Sequence, residues 1–281
     1  MTTAFVLSGG ASLGSVQVGM LLALAEKGER PDFIVGTSVG AFNGGWIASR
    51  PDLVGVQALA QLWSSLKTRD VFPRQLGQGL LGFIGRRQSL VSDSGLRRIV
   101  TKNLQFQKLE DAPIPLHVVA TDLLTGKDVR LSTGDAADAI IASASIPSVF
   151  PPVNIGEHVL IDGGVVNNTP IADAVSLGAD VIWVMPTGYA CALHRAPRGP
   201  LSIALHALSL TINQRLAVDV ARFETTVDLR VIPALCPIEV SPLDFSHTRQ
   251  LIDASYEASA KWLRDKHAWT GQAKLLALHE H

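Results

Sequence analysis

The stretch FIVGTSVGAF, residues 33–42, joins an apolar run to the start of a helical pattern and contains the motif Gly-x-Ser-x-Gly. It predicts a strand, a tight turn and a helix. In such a unit the serine hydroxyl projects at the carboxyl edge of the sheet, beside a helix amino terminus that favours developing negative charge. Gly36 and Gly40 are expected because side chains there would collide with neighbouring elements. Ser38 is therefore a candidate nucleophile, with an ordinary helix-capping serine as the alternative.

The same alternation of apolar runs and amphipathic segments continues along the chain and sets the fold class. Several runs are apolar at consecutive positions, which is typical of parallel strands covered on both faces. The predicted strands are Ala4–Leu7, Phe33–Val35, Leu116–Ala120, Asp128–Leu131, His158–Ile161, Val181–Met185 and Val227–Val231. The predicted helices are Ser15–Lys27, Val39–Ala48, Leu53–Leu66, Gly95–Asn103, Ala136–Ser143, Pro170–Leu177, Pro200–Ala221 and Thr248–Lys266. This order predicts an α/β fold, a three-layer α/β/α sandwich with a mainly parallel central sheet, in one domain over residues 1–281.

Composition and charge limit the classes of function. With 47% hydrophobic and 17% charged residues, the 281-residue chain is not disordered, and a formal net charge of -1 provides no field for nucleic acid. Cys191 and Cys236 are too few for a disulfide framework or a zinc site, so passive reduced thiols are the preferred interpretation. Ala4–Leu7 runs directly into glycines, as a first strand does, and no apolar run reaches the roughly 18 residues of a membrane span. We expect a cytoplasmic protein, with peripheral membrane contact left open. The sequence leaves the oligomeric state unknown.

A glycine-rich turn, SGGASLG over residues 8–14, follows the first predicted strand. Because glycines have no side chain, backbone N–H groups in this turn can point into the cleft at the end of the sheet, as an oxyanion hole requires. Gly9, Gly10 and Ala11 are the candidate donors, and Gly14 precedes the next helix. A dinucleotide-binding turn is the competing interpretation, but it requires an acidic residue at the end of the second strand to hold a ribose. That strand ends in Gly-Thr-Ser instead, so we exclude this interpretation.

Asp162 is the candidate general base, because it ends a predicted strand and precedes Gly163 and Gly164 in another bare turn. An aspartate, with an ordinary pKa of about 3.9, can act as a base if desolvation raises its pKa and it reaches the serine hydroxyl. Taken alone, Asp-Gly is a common turn sequence. A Ser–His–Asp hydrolase would need a histidine instead, and His247 is the best placed, although it precedes a helix without a glycine-framed turn.

Other polar residues near the predicted strand ends are expected to be structural. His117 and His158 lie within predicted strands and are interpreted as groups with satisfied hydrogen bonds. Asp122 and Asn168 follow strand ends or precede a helix, and local capping is the preferred interpretation for both.

In their order and spacing, these three sites resemble the patatin-like phospholipase family, in its bacterial-type, single-domain form. The matching residues are Gly9, Gly10 and Gly14, then residues 36–40, then residues 162–164, with further similar segments at residues 120–123 and 146–152. The resemblance covers roughly residues 3 to 185. It implies a Ser38–Asp162 dyad without histidine, an acyl-enzyme, no cofactor or metal, and acyl lipid substrates.

The chain departs from the family pattern in the glycine turn. Ala11 stands where members commonly have a third glycine, and Leu13 stands where they have a basic residue. Loss of the cation weakens the expectation of a phospholipid substrate and makes neutral acyl esters more plausible. Two alternatives stay open: a general carboxylesterase or thioesterase, and a catalytically weak lipid-binding protein.

Residues 67–102 interrupt the alternation of strands and helices and are strongly basic. The segment contains eight cationic and two acidic residues, together with apolar side chains such as Phe72 and Phe83. Cations beside apolar side chains suit an anionic lipid surface. We interpret the segment as a lid or interfacial insertion that delivers substrate to Ser38, with a solvated surface loop as an equal alternative.

Overall fold

The computed structural model describes residues 1–73, 89–188, 196, 199–236, 238 and 240–265. In this part of the chain, one mixed sheet contains eight strands in the order β5-β6-β3-β2-β1-β7-β8, with β4 paired to β3 off this path. The strands are β1 (Thr3–Leu7), β2 (Phe33–Thr37), β3 (Leu116–Asp122), β4 (Asp128–Leu131), β5 (Val153–Ile155), β6 (His158–Asp162), β7 (Val181–Met185) and β8 (Asp228–Val231). The strands from β3 through β2, β1 and β7 to β8 are parallel, whereas β4, β5 and β6 pair antiparallel.

Helices cover both faces of this sheet. They are α1 (Gly14–Glu26), α2 (Val39–Ser49), α3 (Leu53–Ser65), α4 (Thr68–Val71), α5 (Ser94–Asn103), α6 (Ala136–Ser143), α7 (Ile171–Ser176), α8 (Pro200–Phe223) and α9 (Thr248–Trp262). Successive β1 side chains enter different cores: Phe5 packs with α1, α2 and α9, and Val6 packs with α7 and the end of α8. The predicted three-layer α/β/α sandwich is therefore confirmed.

The sequence-based prediction did not include β5 and α4, because both are too short to give a clear periodicity. Lys266, the predicted end of the last helix, lies outside the described residues, and the described helix ends at Trp262. That all 281 residues form a single domain stays a prediction.

The pairing of β3 brings two distant strand ends together. β2 pairs with residues 116–119 of β3, and β6 pairs with residues 120–122, while β4 pairs with residues 118–121. A strand has two hydrogen-bonding edges. β4 pairs along one edge of β3, and β2 and β6 pair along the opposite edge, one after the other. β2 runs parallel to β3 and β6 runs antiparallel to it, so their carboxyl ends meet. The next residue after β2 and the last residue of β6 are therefore neighbours.

A buried polar network ties the first three helices to the end of the central strands. Gln17 Nε2 donates to the carbonyl oxygens of Ser8 (2.8 Å) and Met185 (2.9 Å). Asn43 Nδ2 donates to Gln17 Oε1 at 2.9 Å, and Trp63 Nε1 donates to Asn43 Oδ1 at 2.9 Å. Since these buried groups satisfy one another, they fix the helices without an unpaired polar atom.

Two findings concern the expected location. Cys236 is disulfide-bonded, so the expectation of a reduced thiol is wrong for this residue, and Cys191 lies outside the described residues. No described helix combines the length and the apolar character that crossing a membrane requires.

Candidate functional site

Ser38 lies in a strained turn between β2 and α2. Its φ of 55° is a left-handed conformation, which is uncommon for a residue with a side chain and recurs at functional sites. Its backbone N–H donates to Ser143 Oγ at 2.7 Å, and that hydroxyl donates in turn to the carbonyl oxygen of Val119. Ser143, which the sequence analysis missed, thus joins the turn to β3 at the gap where β2 ends.

Glycines let the turn pack closely on its neighbours. A Cβ atom on Gly36 would lie within 3.0 Å of the Gly40 backbone, and one on Gly40 would lie within 3.0 Å of the Leu7 backbone. Both contacts are with backbone, which cannot rotate away as a side chain can, so larger residues would displace the serine. Gly14, Gly163 and Gly164 are similarly enclosed, by Val39, by the Val119 backbone, and by Asn168 and Asp162.

Asp162 reaches Ser38 directly. Ser38 Oγ donates to Asp162 Oδ2 at 2.7 Å, although 124 positions separate the two residues. The other carboxylate oxygen, Oδ1, accepts a hydrogen bond from the backbone N–H of Gly164 at 2.7 Å. The carboxylate is thus oriented from both sides, within the reach that a general base requires.

Burial makes Asp162 a stronger base than an ordinary aspartate. Its side chain is almost enclosed, and desolvation raises its pKa to about 6, although the hydrogen bonds from Ser38 and Gly164 act in the opposite direction. The carboxylate is therefore largely ionised at neutral pH and has a higher proton affinity than a solvated carboxylate.

The glycine turn after β1 lies next to the serine, but its three amides differ. The backbone N–H of Gly9 donates to the Asn168 carbonyl oxygen at 3.2 Å, so it is already engaged. Within the described ranges, no acceptor contacts the backbone N–H of Gly10 or Ala11. Ala11 lines the same cavity as Ser38. Gly9 is therefore the least available of the three predicted donors, and Gly10 and Ala11 are the better candidates.

Ala11 keeps the turn although it replaces the usual glycine. Its φ is 52°, in the left-handed region that glycine adopts freely and that costs other residues about 1–2 kcal/mol. Leu13, at the position of the usual cation, is half-buried and packs against the hydrophobic core. The turn therefore survives the two departures, and the site lacks a cation at position 13.

Asn168 and Thr187 hold the glycine turn in place. Thr187 Oγ1 donates to the Gly9 carbonyl oxygen at 2.6 Å, and its side chain occupies the space where a Cβ on Gly10 would lie. Asn168 Nδ2 contacts the same carbonyl oxygen at 3.4 Å. Asn168 is thus part of the site rather than a local cap, and Thr187 is a site residue that the sequence analysis missed.

The histidines have other partners. His247 Nδ1 lies 3.2 Å from Asp244 Oδ2 and 3.0 Å from Ser246 Oγ, in the turn before α9. His117 Nδ1 contacts Ser132 Oγ at 2.7 Å, and burial lowers its pKa.

The expectations for His158 and Asp122 agree with their contacts. His158 Nδ1 lies 2.7 Å from Asp122 Oδ2, and this hydrogen bond, with that from the Leu124 N–H, lowers the pKa of Asp122. The second of these bonds makes Asp122 a local cap of the turn after β3.

An apolar pocket that is open to solvent adjoins Ser38. Among the described residues that line it, Ser38 alone carries a hydroxyl or charged group. The others are Ala11, Val39, Phe42, Trp63, Leu66, Val71, Phe72, Leu96, Ile99, Ile140, Ala144, Ile146, Phe150 and Phe245. Its lining suits a hydrocarbon chain bound next to the serine.

Both described ends of the basic segment 67–102 contribute to this cavity. Val71 and Phe72 come from its start, and Leu96 and Ile99 come from α5 near its end. Phe72 stacks on Phe150, with ring centroids 5.3 Å apart. Residues 74–88, which include Arg74, Arg86 and Arg87, lie outside the described residues, so the interfacial role stays a prediction.

Within the described ranges, no group of three or more His, Cys, Asp or Glu side chains is arranged to hold a metal ion.

Comparisons with known proteins identify the family of this chain. The family described as patatin-like phospholipase matches residues 5–175. Patatin-like phospholipase domain-containing protein 7 of Rattus norvegicus is 32% identical over 188 residues, which are 66% of this chain and 13% of that protein. An uncharacterised NTE family protein of Mycobacterium bovis is 32% identical over 63% of this chain and 47% of its own length. The chain therefore spans less than half the length of either relative.

A solved structure is more distantly similar. VipD from Legionella pneumophila is 14% identical, with a TM-score of 0.49 over 100% of this chain and 71% of that one. The resemblance noted in the sequence is confirmed by the family match, which includes the serine turn, the glycine turn and Asp162 and covers more than half of the residues. The chain belongs to the patatin-like phospholipase family.

Proposed function

We propose that this protein hydrolyses acyl esters of lipids, with Ser38 as nucleophile and Asp162 as general base. The observation that carries the proposal is the 2.7 Å hydrogen bond from Ser38 Oγ to Asp162 Oδ2 beside an apolar pocket that is open to solvent. The names of relatives support it, since one is a lysophospholipase of Yarrowia lipolytica that is 28% identical over 65% of this chain.

The reaction follows from the positions of these groups. Asp162 accepts the hydroxyl proton as Ser38 Oγ attacks the ester carbonyl carbon, and the carbonyl oxygen becomes an oxyanion. The N–H groups of Gly10 and Ala11 stabilise that charge, and each such donor typically lowers the barrier by about 2.7–4 kcal/mol. The tetrahedral intermediate collapses when the alcohol leaves with the proton from Asp162, and the acyl group stays on Ser38. Asp162 then accepts a proton from the water that attacks the acyl-enzyme. As the bond between the acyl group and Ser38 Oγ breaks, Asp162 returns that proton to Oγ and the fatty acid is released.

The described cavity favours a long acyl chain over a small acyl group. Its walls are aliphatic and aromatic side chains, and each methylene that leaves water for such a surface gains about 0.8 kcal/mol. A preference for long chains would distinguish a lipid hydrolase from a general carboxylesterase or thioesterase. With Leu13 in place of the usual cation, position 13 offers no charge to bind a phosphate, so neutral acyl esters are included in the proposal.

The basic segment 67–102 is proposed as the entrance to this cavity, because both described ends form its wall. We also propose that Arg86 and Arg87 contact an anionic membrane. A cytoplasmic location is likewise proposed, but it is not supported by reduced thiols, because Cys236 is disulfide-bonded.

The test is hydrolysis of short and long acyl p-nitrophenyl esters by the wild type and by Ser38→Ala, Asp162→Asn and His247→Ala. We expect the first two substitutions to abolish turnover and the third to leave it unchanged. An active Ser38→Ala variant would refute the mechanism. An inactive wild type that still binds long-chain lipid would favour the lipid-binding alternative.

A further inference from the structure

Ser38 and Asp162 come from two strands that do not pair with each other. β2 pairs with β1 and β3, and β6 pairs with β3 and β5. The described strand pairings therefore include none between β2 and β6, although the carboxyl ends of these strands meet. The 2.7 Å contact between Ser38 Oγ and Asp162 Oδ2 is thus not fixed by hydrogen bonds between the two strands that carry them.

The end of α6 contacts both residues. The backbone N–H of Ser38 donates to Ser143 Oγ at 2.7 Å, and the backbone N–H of Asp162 donates to the Ser145 carbonyl oxygen at 2.9 Å. Ser143 is the last residue of α6, and Ser145 lies in the turn that follows it. Because the two acceptors belong to one short turn, this turn links the candidate nucleophile to the candidate base.

The turn after α6 is itself held on several sides. Ser143 and Ser145 are both fully buried. The Ser143 hydroxyl donates to the carbonyl oxygen of Val119 in β3, and Ser145 Oγ donates to the Ile141 carbonyl oxygen at 2.8 Å. Ala142 packs in a small core that β3 and β6 also form. The acceptors for Ser38 and Asp162 are therefore fixed relative to the sheet.

The Ser38 turn needs this support because its backbone conformation is unfavourable. A φ of 55° persists in a residue with a side chain only where the surrounding structure enforces it. Ser38 precedes α2, and the N–H groups at the start of a helix have no partner within it. Among the described residues, Ser143 Oγ is the acceptor for the Ser38 N–H, and without it this buried N–H would be unpaired.

We propose that Ser143 is a positioning residue for the reaction, which holds Ser38 in the conformation that brings its hydroxyl to Asp162. This role rests on the proposed function. Ser143 does not line the apolar pocket beside Ser38, so it acts through the Ser38 backbone and not on the acyl chain. Loss of its hydroxyl lets the turn relax and lengthens the contact between Ser38 and Asp162. Proton transfer then becomes slower, while binding of the acyl chain is unchanged.

The pH dependence of the reaction reports this role separately from stability. Burial raises the pKa of Asp162 to about 6, and the hydrogen bonds from Ser38 and Gly164 lower it. Among the described residues, no other titratable side chain contributes to this pKa. If Ser38 moves away, its hydrogen bond weakens and the pKa of Asp162 rises. The acid side of the kcat/KM profile then moves to higher pH, whereas a variant that only loses stability keeps the wild-type profile.

The experiment measures kcat, KM and the pH profile of kcat/KM for a long acyl p-nitrophenyl ester with the wild type, Ser143→Ala and Ser143→Cys. The cysteine variant keeps a side chain of similar size whose sulfur forms only weak hydrogen bonds, so it tests the same contact if the alanine variant does not fold. The matched control is Ser255→Ala, which removes a buried serine hydroxyl that joins α9 to the Val16 carbonyl oxygen of α1 at 2.7 Å. Urea denaturation shows whether each variant is folded under the assay conditions.

We expect Ser143→Ala to lower kcat about 10- to 100-fold with KM within about twofold of the wild type, because a displaced nucleophile reacts slowly in an unchanged pocket. The acid side of its profile should move up by about half a pH unit or more, as the loss of one hydrogen bond to Asp162 implies. Ser143→Cys should change in the same directions, and Ser255→Ala should match the wild type in all three measurements.

Four results would overturn the proposal: full activity of the folded Ser143 variants, a loss confined to KM, an unchanged pH profile, or an equal loss of kcat in Ser255→Ala. A wild type that hydrolyses no ester would refute the proposed function and this role together. An active wild type with an equally active Ser143→Ala variant would refute the role of Ser143 alone.

Discussion

Replacement of Asp162 by asparagine should stabilise the protein at alkaline pH while it removes activity. The carboxylate is buried, and desolvation raises its pKa to about 6 in the folded state. An amide of the same shape avoids the cost of burying a charge. Its oxygen can accept from the Gly164 N–H and its NH₂ can donate to Ser38 Oγ, so both hydrogen bonds of the native site keep a partner.

The size of this effect follows from linkage between protonation and folding. In the unfolded chain Asp162 returns to its ordinary pKa of 3.8. Because the folded pKa is the higher one, protonation favours the folded state, and this contribution is present below pH 3.8 and lost as the pH rises through about 6. A shift of about two units corresponds to about 3 kcal/mol. The variant should therefore exceed the wild type by up to about 3 kcal/mol at pH 8, by about half of that at pH 5, and by little at pH 4.

Urea denaturation of both proteins at pH 8, 5 and 4 measures these differences. The control is Asp253→Asn in α9, the same chemical change at a carboxylate that is 68% exposed, for which we expect only a small difference because no buried charge is removed. The reasoning is refuted if the advantage of the Asp162 variant is the same at all three pH values, or if it grows as the pH falls.

Four further outcomes test the site and the core. The kcat/KM for a short ester should rise with pH up to about 6 and level off above it, because Asp162 must be ionised to accept a proton, and a profile already flat at pH 5 would contradict this role. Asn43→Ala should lower the free energy of unfolding by about 2–4 kcal/mol in urea denaturation, because it leaves two buried partners unpaired, and a loss well below that range would contradict the network. Gly10→Ala should lower kcat about 100-fold, since its Cβ would meet Thr187 and displace the turn, and an unchanged kcat would remove this turn from the mechanism. Phe72→Ala should lower kcat/KM about tenfold for a long acyl ester but much less for an acetyl ester, because it removes a cavity wall, and equal losses would place the acyl chain elsewhere.

The elements of the sheet could be predicted because their signals are local. β2, the turn at Ser38 and α2 lie within residues 33–49, and apolar runs, glycines and helical periodicity are each set by neighbours in sequence. The turn at Asp162–Gly164 could be found in the same way. β5 was missed because it has only three residues, which is too short a run to show a period, and all three are at least partly exposed.

The partners of the site could not be predicted, because they are common residue types brought in by contacts that are distant in sequence. Thr187 lies 178 positions from Gly9, and Ser143 lies 105 positions from Ser38. A lone serine or threonine has many structural roles, and nothing in its own neighbourhood shows which one it takes.

The sequence by itself therefore determined the fold class, the family and the three turns that carry Gly10, Ser38 and Asp162, because each depends on residues close together along the chain. Only the tertiary structure decided that β6 runs antiparallel to β3 and meets β2 end to end, which places Asp162 against the serine. It also decided that the Gly9 amide is engaged, that burial raises the pKa of Asp162, and that the end of α6 contacts both Ser38 and Asp162. Each of these depends on which distant surfaces meet and on how much water they exclude, and that is fixed only when the whole chain packs.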